Sequence, residues 1–203
     1  METSRLTVYG DRRSGNCYKV QLVLALLAKE HEWVDIDILA GDTKTPDFLQ
    51  KNPNGKIPLL ALPAGQFLWE SNAIINFLAA GTPLLPTDAF ALAKVQQWQF
   101  FEQYSHEPFI AVARFINKYL GLPESRRAEY EAKQVGGYKA LEVMEQQLSR
   151  TPFLVGGQCT TADIALYGYT PVAHEGGFEL TSFPAIQRWI SRVASLPGFV
   201  PMD

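Results

Sequence analysis

The sequence predicts a small α/β domain followed by an all-helical one. Three observations predict it. The first eighty residues alternate between short apolar or period-two runs and runs at helical spacing. A break with two prolines, "GTPLLPTD", then interrupts the pattern. Beyond Asp88 almost only helical spacing remains. At 203 residues the chain can bury a sizeable core as one large domain or two small ones.

In order, Leu6 to Tyr9 is a short apolar run closed by Gly10, hence a strand. Cys17 to Lys29 reads as a helix whose Val20, Val23, Leu24 and Leu27 share one face. Its "VQLVLALLA" core follows basic residues as a signal peptide would, but Gln21 interrupts it and strand-like sequence resumes at once. Trp33 to Leu39 alternates apolar and acidic residues, as a half-buried strand does. Pro46 can start a short helix. Ile57 to Leu62 begins a strand at a proline, Pro63-Ala64-Gly65 turns, and Phe67-Leu68-Trp69 pairs back as a hairpin. Glu70-Ser71 opens a helix through Ile74, Ile75 and Leu78. The predicted order is β-α-β-α-β-β-α over residues 1–81, with a linker at 82–88.

Residues 89–203 then form the helical domain. Val95, Trp98, Gln99 and Glu102 lie on one long helix, and Leu141, Met144 and Leu148 on another. Ile186, Trp189, Ile190 and Val193 repeat at i, i+3, i+4 and i+7. At "TTADI", Thr160 caps a helix start and Asp163 reaches back to the cap's N–H; losing that cap should cost about 1 kcal/mol.

Composition narrows the function. A net charge of −3 gives no electrostatic reason to expect nucleic-acid binding, so any anion site must be local. Cys17 and Cys159 are far apart, without CxxC or zinc-ligand spacing, and read as free thiols of a reducing compartment. His31, His106 and His174 lack metal-like spacing, so no metal is expected. No run approaches the ~18 apolar residues of a membrane span. A cytoplasmic protein is expected.

Three stretches can carry chemistry. In "YGDRRSGNCYKV" a helix begins among a hydroxyl, an amide and a thiol, where unpaired N–H groups and the macrodipole favour negative charge. Ser14 or Asn16 is either a plain N-cap or a donor toward an anion. In "NPNGKIPLL" Pro58 cannot donate to the ladder. A cis Ile57–Pro58 bond, the minority form, would turn the Ile57 backbone outward toward an extended peptide. In "WESNAI" the Ser71 hydroxyl and amide suit a carboxylate and Glu70 suits an ammonium; Ser71 and Glu70 as cap and first-turn acid is the competing reading.

These stretches, in this order and on this element pattern, resemble the cytosolic glutathione transferases over essentially the whole chain. "NGKIPLL" followed by "ESNAI" is the most specific part, and "TTADI" resembles the capping box of that family's helical domain. "RRSGNCYKV" resembles the serine-type, zeta-like and several bacterial members. The resemblance implies a thioredoxin-like first domain, a cis-proline, glutathione as co-substrate, no metal, and a homodimer.

By position it implies that Glu70 and Ser71 bind the γ-glutamyl end of glutathione and Ile57, ahead of Pro58, its cysteinyl backbone. Lys56 and Lys44 would meet the glycyl carboxylate, with Gln103 reaching the ligand across the dimer. Ser14, or Asn16 in its place or beside it, would stabilise the cofactor's thiolate; Tyr9 and Cys17 are the other candidates. Lys19 stands where zeta-like members carry arginine. Arg12 and Arg13 could attract an anionic electrophile, and Arg13, Tyr104, Phe109 and Arg114 would line its pocket. The expected activity is conjugation of the glutathione thiolate to small electrophiles. The alternatives are a glutathione-dependent disulfide reductase or isomerase, and a non-catalytic binding or regulatory protein.

Overall fold

The computed structural model describes residues 5–202. The chain divides into two units. One runs to Ala80 and takes up the chain again from Leu196; the other is Gly81–Ser195.

The first unit is built on a mixed four-stranded sheet in the order β2-β1-β3-β4. Its strands are β1 (Leu6–Gly10), β2 (His31–Asp35), β3 (Leu59–Ala61) and β4 (Phe67–Trp69). β1 runs parallel to β2 and antiparallel to β3, and β3 runs antiparallel to β4. The helices are α1 (Gly15–Leu26), α2 (Pro46–Lys51) and α3 (Ser71–Ala79), so the element order is the predicted β-α-β-α-β-β-α. α1 and α3 pack against each other.

Local chemistry sets these boundaries. A Cβ on Gly10 would lie 2.9 Å from Cys17 Sγ and 3.0 Å from the Trp33 ring, so β1 approaches α1 only through glycine. β2 stops at Asp35, four residues short of the predicted Leu39. Asp37 is the cause: its Oδ1 accepts from the N–H groups of Leu39 and Ala40, at 2.8 and 3.1 Å, and folds the chain into an Asx turn. β3 begins at Leu59 rather than Ile57, because Pro58 has no N–H for the ladder. Thr45 caps α2 by accepting from Phe48 N–H.

α1 is more deeply buried than one apolar face requires. Cys17, Val20, Leu22, Val23 and Leu24 are fully buried, and so is Lys19. The C-terminal segment helps to enclose it: Tyr18 Oη donates to Val200 O at 2.8 Å, and Gly198, at φ +83°, sits on the Ala25 carbonyl. Residues from Leu196 onward therefore belong with the first unit, whereas the sequence reading assigned them to the helical domain.

In the second unit, α4 (Ala89–Phe101) starts at Asp88, whose carboxylate accepts from Ala91 N–H at 2.9 Å. It passes through a π-helical turn at Glu102–His106 into α5 (Glu107–Arg114), and a second π turn follows at Phe115–Tyr119. Then come α6 (Arg127–Leu148), α7 (Thr161–Tyr167) and α8 (Pro184–Ala194). Every residue of α7 is buried. Its capping box forms as expected, Thr160 N–H donating to Asp163 Oδ2 at 2.9 Å. Asp163 Oδ1 also accepts from Leu154 N–H and Trp189 Nε1–H, both at 2.9 Å, so one carboxylate ties α7 to a loop and to α8. No helix among the described residues is long and apolar enough to cross a membrane.

Candidate functional site

The first turns of α1 and α3 meet. Asn16 lies in the first turn of α1 and Ser71 is the first residue of α3; Ser71 Oγ donates to Asn16 Oδ1 at 3.2 Å. The helical hydrogen bonding of the two helices includes Tyr18 N–H to Ser14 O and Ile74 N–H to Glu70 O, one at each start. Two helix dipoles thus present their positive ends around one pair of neutral side chains. Lys19, one turn along from Asn16, approaches the same pair from inside the unit: it is fully buried and its Nζ donates to Ser71 Oγ at 3.4 Å.

Ser14 is the N-cap of α1 but makes no side-chain cap hydrogen bond. Its hydroxyl bonds instead to the Cys17 thiol. That thiol is not a thiolate. Burial pushes its pKa up to about 12, overriding the lowering effects of the Ser14 and Asp11 hydrogen bonds. Tyr9 alternates with Val8 and Gly10 along β1, and so lies on the sheet face opposite the one Gly10 turns to α1. Its ring is covered by Lys51 Nζ, 5.4 Å from the ring centroid.

The loop from Asn52 to Pro58 is braced from below. Lys44 Nζ donates to Gly55 O at 3.0 Å and Asn52 Nδ2 to Lys56 O at 2.7 Å. The Ile57–Pro58 bond is cis and Pro58 is buried. Lys56 is exposed. Glu70 stands at φ +71°, a conformation few non-glycine residues adopt. Its Oε1 accepts from Asn54 Nδ2 at 3.2 Å, linking this loop to the start of α3.

Ser14, Asn16, Ile57, Pro58, Glu70 and Ser71 therefore come from three stretches of sequence into one unit. The arginines are engaged elsewhere. Arg13 is clamped on Asp11 through Nε at 2.9 Å and Nη2 at 2.7 Å. Arg12 lies 4.7 Å over the Trp33 ring and 3.8 Å from Asp35.

The remaining candidates lie in the second unit. Gln103 donates to Glu102 Oε2 at 2.8 Å, and Tyr104 is 80% exposed. Phe109 rests over Gly136, where any Cβ would overlap its ring, and under Lys133. Arg114 is buried and ion-paired with Glu175, with Tyr119 beneath its guanidinium. Arg13 and Arg114 thus hold carboxylates of this chain already. Among the described residues no cluster of His, Cys, Asp or Glu could hold a metal ion.

Sequence reasoning passed over Lys19 as a site residue. The available signal was its place one turn on from Asn16 in a helix that is otherwise largely apolar. Leu22 and Val23 follow it one turn on, Tyr18 and Val20 flank it, and Asn16 is the polar neighbour one turn back.

Comparison with known proteins agrees with this fold. Residues 4–80 match the family described as glutathione S-transferase, N-terminal domain, and residues 94–197 match glutathione S-transferase, C-terminal domain. A glutathione S-transferase of Pseudomonas fluorescens has a crystal structure similar at TM-score 0.97 and 62% identity, covering 98% of this chain and 99% of that one. Glutathione S-transferase 3 of Zea mays is 32% identical over 96% of this chain and 91% of its own. A structure of glutathione transferase URE2P6 of Phanerochaete chrysosporium in complex with oxidized glutathione is similar at TM-score 0.86 and 28% identity, over 97% of this chain and 93% of that one.

Proposed function

This chain belongs to the glutathione transferase family, and we propose that it conjugates the thiolate of glutathione to small electrophiles. The observation that carries the reading is the Asn16–Ser71 contact at two convergent helix N-termini. It brings together the positive ends of two helix dipoles, which favour a bound anion.

In this reading the backbone N–H groups of Ser71 and the rest of the first turn of α3 take the γ-glutamyl carboxylate, and Glu70 takes the ammonium. Ile57, ahead of the cis bond, offers its backbone to the cysteinyl residue. Lys56 and Lys44 face the glycyl end, with Gln103 reaching it from a second copy in a homodimer. Glutathione brings the nucleophilic sulfur. Ser14 and Asn16 hold it as an anion: lowering a thiol from about 8.5 to about 6.5 takes roughly 2.7 kcal/mol. One charge-assisted hydrogen bond of roughly 1.5–3 kcal/mol and up to ~1 kcal/mol from the dipole supply that. Cys17 takes no part. Arg13, Tyr104, Phe109 and Arg114 line the electrophile pocket, the two arginines held in place by their ion pairs with Asp11 and Glu175. A cytoplasmic location fits two free, buried cysteines.

The test is a titration of the protein with glutathione from about pH 5 to 9, following thiolate absorbance in the ultraviolet against the free-thiol reference. The expected result is saturable binding with a thiolate pKa well below about 8.5, raised by Ser14→Ala, by Asn16→Ala, or further by both. Turnover of a model aromatic halide should fall in step. Thiolate formation unchanged in all three variants would sink this reading. Dimerisation without glutathione binding would instead indicate a regulatory protein.

The oxidized glutathione held by the URE2P6 relative favours one second reading, a glutathione-dependent disulfide reductase. With no CxxC in the chain, two glutathione molecules must supply both thiols. Reduction of a model disulfide faster than conjugation of the halide selects it.

A further inference from the structure

Asn52 is 1% exposed and uses both ends of its side-chain amide. Its Oδ1 accepts from Asn54 N–H at 3.0 Å, and its backbone carbonyl accepts from Gly55 N–H at 2.9 Å. Those bonds close the turn after α2, and they ask the side chain only for an acceptor, which an aspartate would also supply. A further bond asks for more. Asn52 Nδ2 donates to the Lys56 carbonyl at 2.7 Å, and an ionised carboxylate has no N–H to give. Half of the amide serves the turn, and the other half is spent on a single peptide group.

That group joins Lys56 to Ile57. Unlike the bond that follows it, it is trans, so it is planar and its C=O and N–H point in opposite directions. With the Lys56 carbonyl drawn in to a buried partner, the Ile57 N–H is turned away from Asn52. The Lys56 carbonyl has no other donor among the described residues, so this one bond sets the tilt of the plane. The Ile57 N–H, for its part, has no acceptor among the described residues. A backbone donor left unpaired in this way is unusual. It is held in one direction and not used by the chain.

We infer that Asn52 is a positioning residue of the ligand site: by holding the Lys56 carbonyl it aims the Ile57 N–H at the cysteinyl carbonyl of glutathione. This rests on the glutathione reading for the identity of the acceptor. The direction of the N–H does not.

The experiment uses the whole chain as wild type, Asn52→Ala and Thr45→Ala. The ligands are S-methylglutathione and its analogue with a trans-alkene in place of the cysteinyl–glycyl amide, which keeps the ligand's shape and removes the carbonyl. Calorimetry gives both affinities. The wild type should prefer the amide ligand by about fivefold to tenfold, as one hydrogen bond allows. In Asn52→Ala that preference should shrink to less than about twofold, through weaker binding of the amide ligand alone. Thr45→Ala removes the cap of α2 without touching the Lys56–Ile57 plane. It should lower Tm, as the loss of a cap does, and keep the wild-type preference. Residual dipolar couplings, measured by NMR without ligand, should show the Ile57 N–H reoriented in Asn52→Ala while the amides of β1 and β3 stay as they were.

Equal binding of the two ligands by the wild type overturns the inference. So does a preference undiminished in Asn52→Ala, a preference lost as fully in Thr45→Ala, or an Ile57 N–H that keeps its direction in Asn52→Ala. If the wild type binds neither ligand, the glutathione reading fails instead, and the dipolar couplings alone decide whether Asn52 sets the direction of the N–H. If Asn52→Ala does not fold, Asn52→Asp replaces it in both measurements: ionised, it keeps the acceptor for Asn54 N–H and has no donor for the Lys56 carbonyl.

Discussion

Cys17 occupies the first turn of a helix, where sulfur chemistry is expected, and does none of it. Its side chain is sealed between Gly10 of β1 and the core, and burial lifts its pKa to about 12. Iodoacetamide should therefore leave Cys17 unmodified in the native protein for hours, and label it at the rate of a free thiol once denaturant unfolds the chain. Fast native labelling, read by peptide mass, would contradict this placement. Asn16, one residue earlier on the half-exposed side of the same turn, keeps its polar end available to the pair it makes with Ser71. At this scale the polar residues were legible because each sits at a helix start, where side chains serve unpaired N–H groups. Lys19 was not, since a lysine between apolar neighbours is normally a side chain that reaches water, and only the packing shows that this one does not.

Elements were legible where a residue type ends them by its own chemistry. Phe67–Trp69 is bounded by a turn, Pro46 opens α2, and Thr160 with Asp163 opens α7. β2 was overrun because period-two alternation continues past Asp35, while the hydrogen bond that the Asp37 carboxylate accepts from Leu39 N–H overrides it. The π turns after α4 and α5 had no periodic signature to read. The second of them carries Lys118, which with Arg114 of α5 converges on Glu175; Asn117 Nδ2 also donates to the Glu175 carbonyl at 2.8 Å. Burial alone would raise the Glu175 pKa, but hydrogen bonds from Lys118 and Arg114 outweigh it and hold the carboxyl below its usual range. Since the folded-state pKa is depressed, the stabilisation is fully present above the unfolded value of about 4.3. It is lost as pH falls through the lower folded-state pKa. Glu175→Gln should thus melt earlier than the wild type at pH 7, by about 1–3 kcal/mol because buried Arg114 loses its counter-charge. The gap in Tm should close once the pH has dropped below the folded-state pKa. A gap independent of pH would mean that packing, not charge, is what Glu175 contributes.

Over the whole molecule, the chain leaves the first unit at Gly81 and returns to it at Leu196. That return could not be read from composition, because "LPGFVPM" carries no helical or strand period and borders a clear helix. Its physical content is specific. Tyr18 is 2% exposed and spends its hydroxyl on the Val200 carbonyl, while Gly198 needs both its positive φ and its missing side chain to lie on Ala25. The helix so covered is α1, which carries Asn16 and Lys19. A chain ending at Ser195 should therefore keep its second unit and weaken its first. The loss of one buried hydrogen bond is worth about 1 kcal/mol, and re-exposed apolar surface on α1 adds about 25 cal/mol for each Å². Hydrogen exchange would show this as faster exchange of α1 amides, with α6 and α7 unchanged. Glutathione affinity should drop with it, because the first turn of α1 loses the support that holds Asn16 against Ser71. Equal loss of protection in both units would mean instead that the segment stabilises the molecule as a whole, and that α1 does not depend on it more than any other helix.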